Sequence, residues 1–200
     1  MVANTKMSNT YITSDTHFGH LNICGPTLSN WKSGFRNFSS LDEMENVIVD
    51  NINMVVGKDD TLIHVGDVFM GQVEKHAERI RKRINCQKIQ LVYGNHDKKI
   101  RKSKELQSLF SSCQDYLELY HNGNFAVIQH YPLSIWNKNG SGSVMLYGHC
   151  HGSYQNDGRS IDVGVDCWNF KPIQLDFAIS EAMKRPIVVK DHHGEETSYA

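Results

Sequence analysis

The sequence predicts an α/β fold in which an alternating strand–helix region is followed by a second sheet packed on the first. Three observations predict it. Strand-type and helix-type segments alternate early in the chain, and the later part holds more strands than helices. Five of the apolar strands also stop in Asp, Asn or His, often beside Gly, at the place where α/β sheets build their sites.

Each element follows from its pattern. Residues 11–14, 61–65, 88–93, 125–129, 144–147 and 160–165 are short runs rich in Val, Ile, Leu and Tyr, bounded by Gly, Asn, Asp and Pro, and read as strands. Residues 37–57 read as a helix: Ser40 is a cap, and Glu43 three residues on completes a capping box. Leu41, Met44, Val47, Ile48, Ile52 and Val55 fall on one face, and Gly57 is placed to end the helix. A second helix is expected over 73–84, with Ala77, Ile80 and Ile84 inward, a third over 103–110 and a fourth over 177–183, before Pro186. The Gly/Ser/Asn stretch 137–143 reads as a mobile loop.

The 200 residues fit one domain, with 1–9 and 191–200 as flexible tails. A domain of this size buries roughly 70% of its unfolded surface, so its core needs no staples. Apolar residues make up 40% and charged residues 22% of the chain, as in an ordinary soluble globule. A net charge of -1 does not point to nucleic acid or to a membrane. No apolar run approaches the ~20 residues that span a bilayer, and the polar segment 1–9 lacks the core of a signal peptide, so a cytoplasmic location is expected. The five cysteines are widely spaced with no Cys-x-x-Cys pair, which argues for reduced thiols. Histidine, the commonest metal ligand and the acid or base of neutral pH, occurs 11 times.

The strand ends carry the chemistry. Strand 11–14 runs into Asp15-Thr16-His17, 61–65 into Gly66-Asp67, 88–93 into Gly94-Asn95-His96-Asp97, 125–129 into His130, and 144–147 into Gly148-His149-Cys150-His151. Carboxylate and imidazole together suit Mn²⁺, Zn²⁺ or Fe better than Mg²⁺ or Ca²⁺. Without a cysteine cluster a structural zinc site is disfavoured. Seven candidate ligands exceed the needs of one ion, whereas two ions sharing a carboxylate would use them all; two ions ~3.5–4 Å apart form the clamp of phosphatases and nucleases.

Taken singly these motifs are ordinary: Asp-x-His occurs in solvated turns, and Gly-Asn-His-Asp makes an ordinary turn. In this order, Asp-x-His, Gly-Asp, Gly-Asn-His-Asp, a lone His and Gly-His-x-His resemble the signature of the calcineurin-like metallophosphoesterases. The matches span residues 15–151, about two-thirds of the chain. The strings Ser14-Asp15-Thr16-His17-Phe18-Gly19-His20 and Val163-Gly164-Val165-Asp166-Cys167-Trp168-Asn169 resemble a small single-domain subgroup of bacteria and phages; for a phage member the location implied is the host cytoplasm.

The resemblance implies a four-layer α-β-β-α sandwich, two mixed sheets flanked by helices. It implies two divalent metal ions, Mn²⁺ first, with Zn²⁺, Fe or Ni²⁺ as alternatives. Asp15, His17 and His151 would hold one ion, Asn95, His130 and His149 the other, and Asp67 would bridge them. A hydroxide between the ions would attack, His96 would protonate the leaving alkoxide, and Asp97 would orient or tune His96. The substrate implied is a small phosphorylated molecule, a phosphodiester in preference to a monoester. Two departures bear on this. The Ser/Thr phosphatase branch continues its Gly-Asp with Val-Asp-Arg-Gly, whereas Asp67 is followed by Val68-Phe69-Met70-Gly71. The chain also lacks the length for the capping domain of the family's repair nucleases.

Other residues stay open at this level. His20 is a substrate contact or a turn histidine. His64, inside a strand, reads as a packed or supporting histidine, while His76 and His121 read as surface residues and His192 and His193 as part of a polar tail. Trp168 and Phe170 read as packing residues. The run Lys98-Lys99-Ile100-Arg101-Lys102-Ser103-Lys104, with Arg79, Arg81, Lys82 and Arg83, is a solvated helix face or a basic rim for phosphate-rich substrates. A nuclease acting on short or single-stranded nucleic acid and a non-catalytic metal-bound scaffold are therefore the alternatives. Loops 22–38, 137–143 and 154–159 would shape the pocket, and loops carry no readable code for substrate.

Overall fold

The computed structural model describes residues 8–25 and 35–190. The tail 191–200 with His192 and His193, most of 1–9, and 26–34 of the loop 22–38 lie outside the described residues.

Two mixed sheets flanked by helices make up the α/β fold, as expected. The first sheet contains β1 (Thr10–Thr13), β2 (Thr61–His64), β3 (Lys88–Val92), β4 (Ser112–Gln114) and β9 (Ile173–Gln174) in the order β4-β3-β2-β1-β9. Its first four strands are parallel and β9 is antiparallel to β1. The second sheet contains β5 (Leu117–His121), β6 (Asn124–Ile128), β7 (Val144–Tyr147) and β8 (Ser160–Asp162) in sequential order, with β5 antiparallel and the rest parallel.

The side-chain period of two assigns each strand's faces. Tyr11, Leu62, Ile89 and Leu91 turn to a core shared with helices α1 (Leu41–Val55) and α2 (Val73–Arg83). Ile12, Ile63 and Val92 turn the other way, onto Ala126, Ile128, Val144 and Leu146 of the second sheet and onto Leu175, Ala178, Ile179 and Ala182 of helix α5 (Leu175–Met183). The outward Val127, Met145 and Tyr147 pack under Trp136. With both faces covered, these strands read as continuous apolar runs rather than as alternating ones.

The first three expected helices are shorter in the structure than their sequence patterns, whereas the fourth, α5, begins two residues earlier than expected. Ser40 caps α1 by accepting from the Glu43 N–H at 3.1 Å, but Glu43 reciprocates on Ser39 N and Oγ, one residue earlier than a capping box requires. The chain leaves α1 at Val56, and Gly57 instead donates its N–H to Asp60. We expect Ser40→Ala to cost about 1 kcal/mol in urea unfolding, as for a lost cap. The basic run expected before the third helix is itself helical: α3 (Lys98–Lys102) meets α4 (Lys104–Gln107) at Ser103, whose hydroxyl caps α4. Stretch 137–143 is not a loose loop but a hydrogen-bonded turn. Asn139 is buried and donates to Val188 O, while Ser143 accepts from Trp136 and donates to Asn137 O.

Candidate metal centre

Strands β1, β2, β3, β6 and β7 deliver their C-terminal residues to one cleft. The β1 and β2 ends are laced together, with Asp15 N–H donating to Gly66 O at 3.0 Å and His17 N–H to Asp67 O at 3.0 Å. Asp15, His17, Asp67, His149 and His151 all have positive φ, between 49° and 70°. They are five of the nine non-glycine residues in that region among the described residues, which marks strained turns concentrated where the strands stop. Gly94 and Gly148 follow the ends of β3 and β7 because nothing larger fits: a Cβ would lie 2.2 Å from Asp67 Oδ1 at Gly94 and 2.0 Å from Ser14 Oγ at Gly148.

Two groups of ligand-type atoms form there. Asp15, His17 and His151 bring one ligand atom each within 4.8 Å of one another, and so do Asp67, His130 and His149. Asn95 joins the second group, its Oδ1 3.0 Å from His130 Nε2. Asp67 Oδ2 is where the groups meet, 3.8 Å from His17 Nε2, 3.4 Å from His130 Nε2 and 3.9 Å from His96 Nε2.

The donor set fits a cation. Asp15 Oδ1 and His17 Nε2 are buried without a hydrogen-bond partner, 3.7 Å apart. His130 Nδ1 donates to Val65 O at 2.7 Å, which turns its Nε2 onto the Asn95 and Asp67 oxygens. Three electron-pair donors converging on one space need a proton or a cation between them. Burial pushes the Asp15 and Asp67 carboxyls up, but the facing imidazoles outweigh it and hold both below the usual range. Burial likewise pushes His130 down, yet Asp67 and Asp15 raise it to about 9. Mixed nitrogen and oxygen donors of this kind suit Mn²⁺, Zn²⁺ or Fe.

The remaining expectations divide. His96 is exposed at the rim and its N–H donates to Asp67 Oδ1 at 2.8 Å. Asp97 does not serve the His96 ring as expected. Its buried carboxylate accepts from the backbone N–H groups of Asp67, Val68 and Gly94 at 2.9, 3.1 and 2.8 Å, tying the β2 and β3 turns together. Asp97→Ala strands three buried donors, and we expect it to lower stability by about 3 kcal/mol in urea unfolding, more than any direct effect on the chemistry. His20 borders the cleft with its Nδ1 3.3 Å from His17 Nδ1. Burial and the neighbouring histidines lower its pKa to about 4, so it is neutral at pH 7. His64 is a supporting residue, buried and 2.9 Å from Thr16 Oγ1. Trp168 and Phe170 are packing residues against Phe177 and Phe38. Part of the basic run is ion-paired: Lys99 with Glu74, Arg101 with Asp115, Arg79 with the buried Glu45, and Lys82 with Glu78.

The sequence reading missed two residues. Asp166 Oδ2 lies 2.7 Å from His151 Nδ1, and the buried Arg36 clamps Asp166 through two bonds of 2.8 Å. Asp166 lies in the Val163–Asn169 string but was given no role there, and Arg36 sits 130 residues away outside any motif, so no pattern in the sequence couples the two.

The cleft has a volume of about 780 Å³, within the roughly 300–1,000 Å³ of small-molecule sites. Phe35 and Met70 line it beside the histidines, and none of its described lining residues is a lysine or arginine.

A family model described as calcineurin-like phosphoesterase matches residues 8–199. An uncharacterised protein of Methanocaldococcus jannaschii is 28% identical over 191 residues, covering 92% of this chain and 96% of that protein. The gene 66 protein of Mycobacterium phage L5 is 25% identical over 199 residues, covering 81% of this chain and 88% of its own. The crystal structure of a protein of unknown function from Aquifex aeolicus superposes with a TM-score of 0.64 at 27% identity, covering 88% of this chain and 99% of that one.

Proposed function

The chain belongs to the calcineurin-like phosphoesterases, enzymes that hydrolyse phosphate esters with divalent metal ions, and from that premise we propose that it is a bimetallic phosphodiesterase acting on a small, nucleotide-like substrate. The observation that carries the reading is the pair of ligand groups meeting at Asp67 Oδ2. Asp15, His17 and His151 would hold one ion, Asn95, His130 and His149 the other, and Asp67 both, with Mn²⁺ the first candidate. When bound, the ions supply Lewis-acid stabilisation of the phosphoryl oxygens and an acidified water as nucleophile.

The chain's own residues do the rest. His96 stands exposed at the mouth of the cleft, where its imidazole can deliver a proton from Nε2 to the departing alkoxide. His20 would meet a substrate oxygen from the other rim. Asp97 acts on the reaction only through the turns it holds. The diester preference rests on charge and shape. Beyond the ions themselves, the described walls offer no lysine or arginine for a monoester's second negative charge, whereas a diester's second arm can lie on Phe35 and Met70. Lys99, Arg101, Arg79 and Lys82 are engaged in ion pairs, which weighs against nucleic acid as the substrate.

The test is to strip the protein, reload it with Mn²⁺ and compare bis-p-nitrophenyl phosphate with p-nitrophenyl phosphate. The reading expects metal-dependent release from the diester at a higher kcat/KM. Release from the monoester alone would make the chain a phosphatase.

A further inference from the structure

One guanidinium gathers three of the segments around the cleft. Arg36 donates from Nε and Nη2 to the two oxygens of Asp166, from Nη2 to Asp15 O at 2.5 Å, from Nη1 to Thr16 O at 3.0 Å, and from Nη1 to Met44 Sδ at 3.6 Å. All five of its N–H groups are thereby used, and the Phe170 ring lies 5.6 Å from its centre. Asp166, in a one-turn helix after β8, is held in a single orientation by this fork. Its Oδ2 faces His151 Nδ1 at 2.7 Å, and the far nitrogen of that ring, Nε2, lies 3.7 Å from Asp15 Oδ1. A carboxylate can only accept, so the ring nitrogen facing it carries the proton, and the lone pair of a neutral His151 must sit on Nε2.

We propose that Asp166, fixed by Arg36, is a positioning residue that sets the Nδ1–H tautomer of His151 and aims its Nε2 at Asp15 and His17. The ion held by that group then depends on Asp166, and the ion held by Asp67, Asn95, His130 and His149 does not. The proposal rests on the bimetallic reading above. Arg36 adds a second constraint, because the fork that orients Asp166 also grips the carbonyls of Asp15 and Thr16 and so sets His151 and Asp15 relative to each other. Lysine, a point charge with three donors, cannot reproduce the fork.

The experiment counts Mn²⁺ bound to the stripped full-length protein by equilibrium dialysis, in wild type, Asp166→Asn and Arg36→Lys. Both variants are expected to weaken one of the two ions by roughly 10–100-fold and leave the other unchanged. Long-range ¹H–¹⁵N spectra of the metal-free wild type, taken above the imidazole titration, are expected to show His151 as the Nδ1–H tautomer. In Asp166→Asn they are expected to show a shift towards Nε2–H. Equal weakening of both ions, no weakening of either, or a wild-type His151 protonated on Nε2 would overturn the proposal. Should wild type bind fewer than two ions, the bimetallic reading fails, while the tautomer of His151 still decides the positioning role. That spectrum needs no variant, so a substitution that prevents folding leaves the test standing.

Discussion

Asp67→Asn is expected to lower hydrolysis by more than about 10³-fold and to weaken both ions together. The substitution is the mildest available. Asn is close in shape to Asp, it tolerates the φ of 56° at this position, and its oxygen can still accept the His96 N–H. What changes is the shared oxygen. An amide NH₂ in place of Oδ2 points hydrogens at His17 and His130, where the carboxylate offers charge and a lone pair. It also removes the carboxylate charge that faces His130 Nε2 at 3.4 Å. Metal content by mass spectrometry and kcat on the diester check the prediction. Two ions retained, with turnover within tenfold of wild type, would remove Asp67 from its bridging role.

His96→Asn is expected to cut turnover by roughly 10²–10⁴-fold with metal content unchanged. The separation of the two readouts follows from geometry. The contact that His96 makes with Asp67 Oδ1 comes from its backbone N–H and survives any side chain, while the ring itself is exposed at the rim. Leaving-group chemistry sharpens the test. p-Nitrophenolate departs without a proton, so the loss should be small on nitrophenyl esters and large on alkyl esters. A loss equal on both classes, or a fall in bound metal, would mean that His96 supports the site rather than protonating the leaving group.

How much of this was legible in the sequence depends on whether the signal was local. The strand ends were legible because an apolar run that stops abruptly in Asp, Asn or His is a contrast between adjacent residues. The register of the parallel strands then brings Asp15, Asp67 and Asn95 to the same end of the first sheet. Strand β5 was missed because it is an edge strand with alternating exposure, so Leu117 and Leu119 are interrupted by Glu118 and Tyr120. Its hairpin signal was nonetheless present: Asn122-Gly123, with φ of 48° and 82°, is the two-residue turn that joins β5 to β6. The short β4 and β9 lie on a sheet edge, where pairing decides the structure more than composition.

Asp97 shows how adjacency misleads. It follows His96 in the chain, but the turn sends the two side chains to different tasks, one to the rim and one to three buried backbone donors. Glu45 shows the limit of a hydrophobic stripe. It sits beside the apolar face of α1 and is buried because Arg79 and the Gly19 N–H compensate its charge, a partnership between helices that no single-segment pattern contains. Arg36 and Asp166 are the same case at the cleft.

The measurement that tests the central claim most directly is a titration of activity against bound metal. Stripped protein receives Mn²⁺ in steps, the bound ions are counted, and hydrolysis of bis-p-nitrophenyl phosphate is followed at each step. Two ligand groups joined by Asp67 predict that activity saturates only as the second ion per chain is bound. Full activity at one ion per chain, or two ions bound with no hydrolysis of any ester offered, would contradict it.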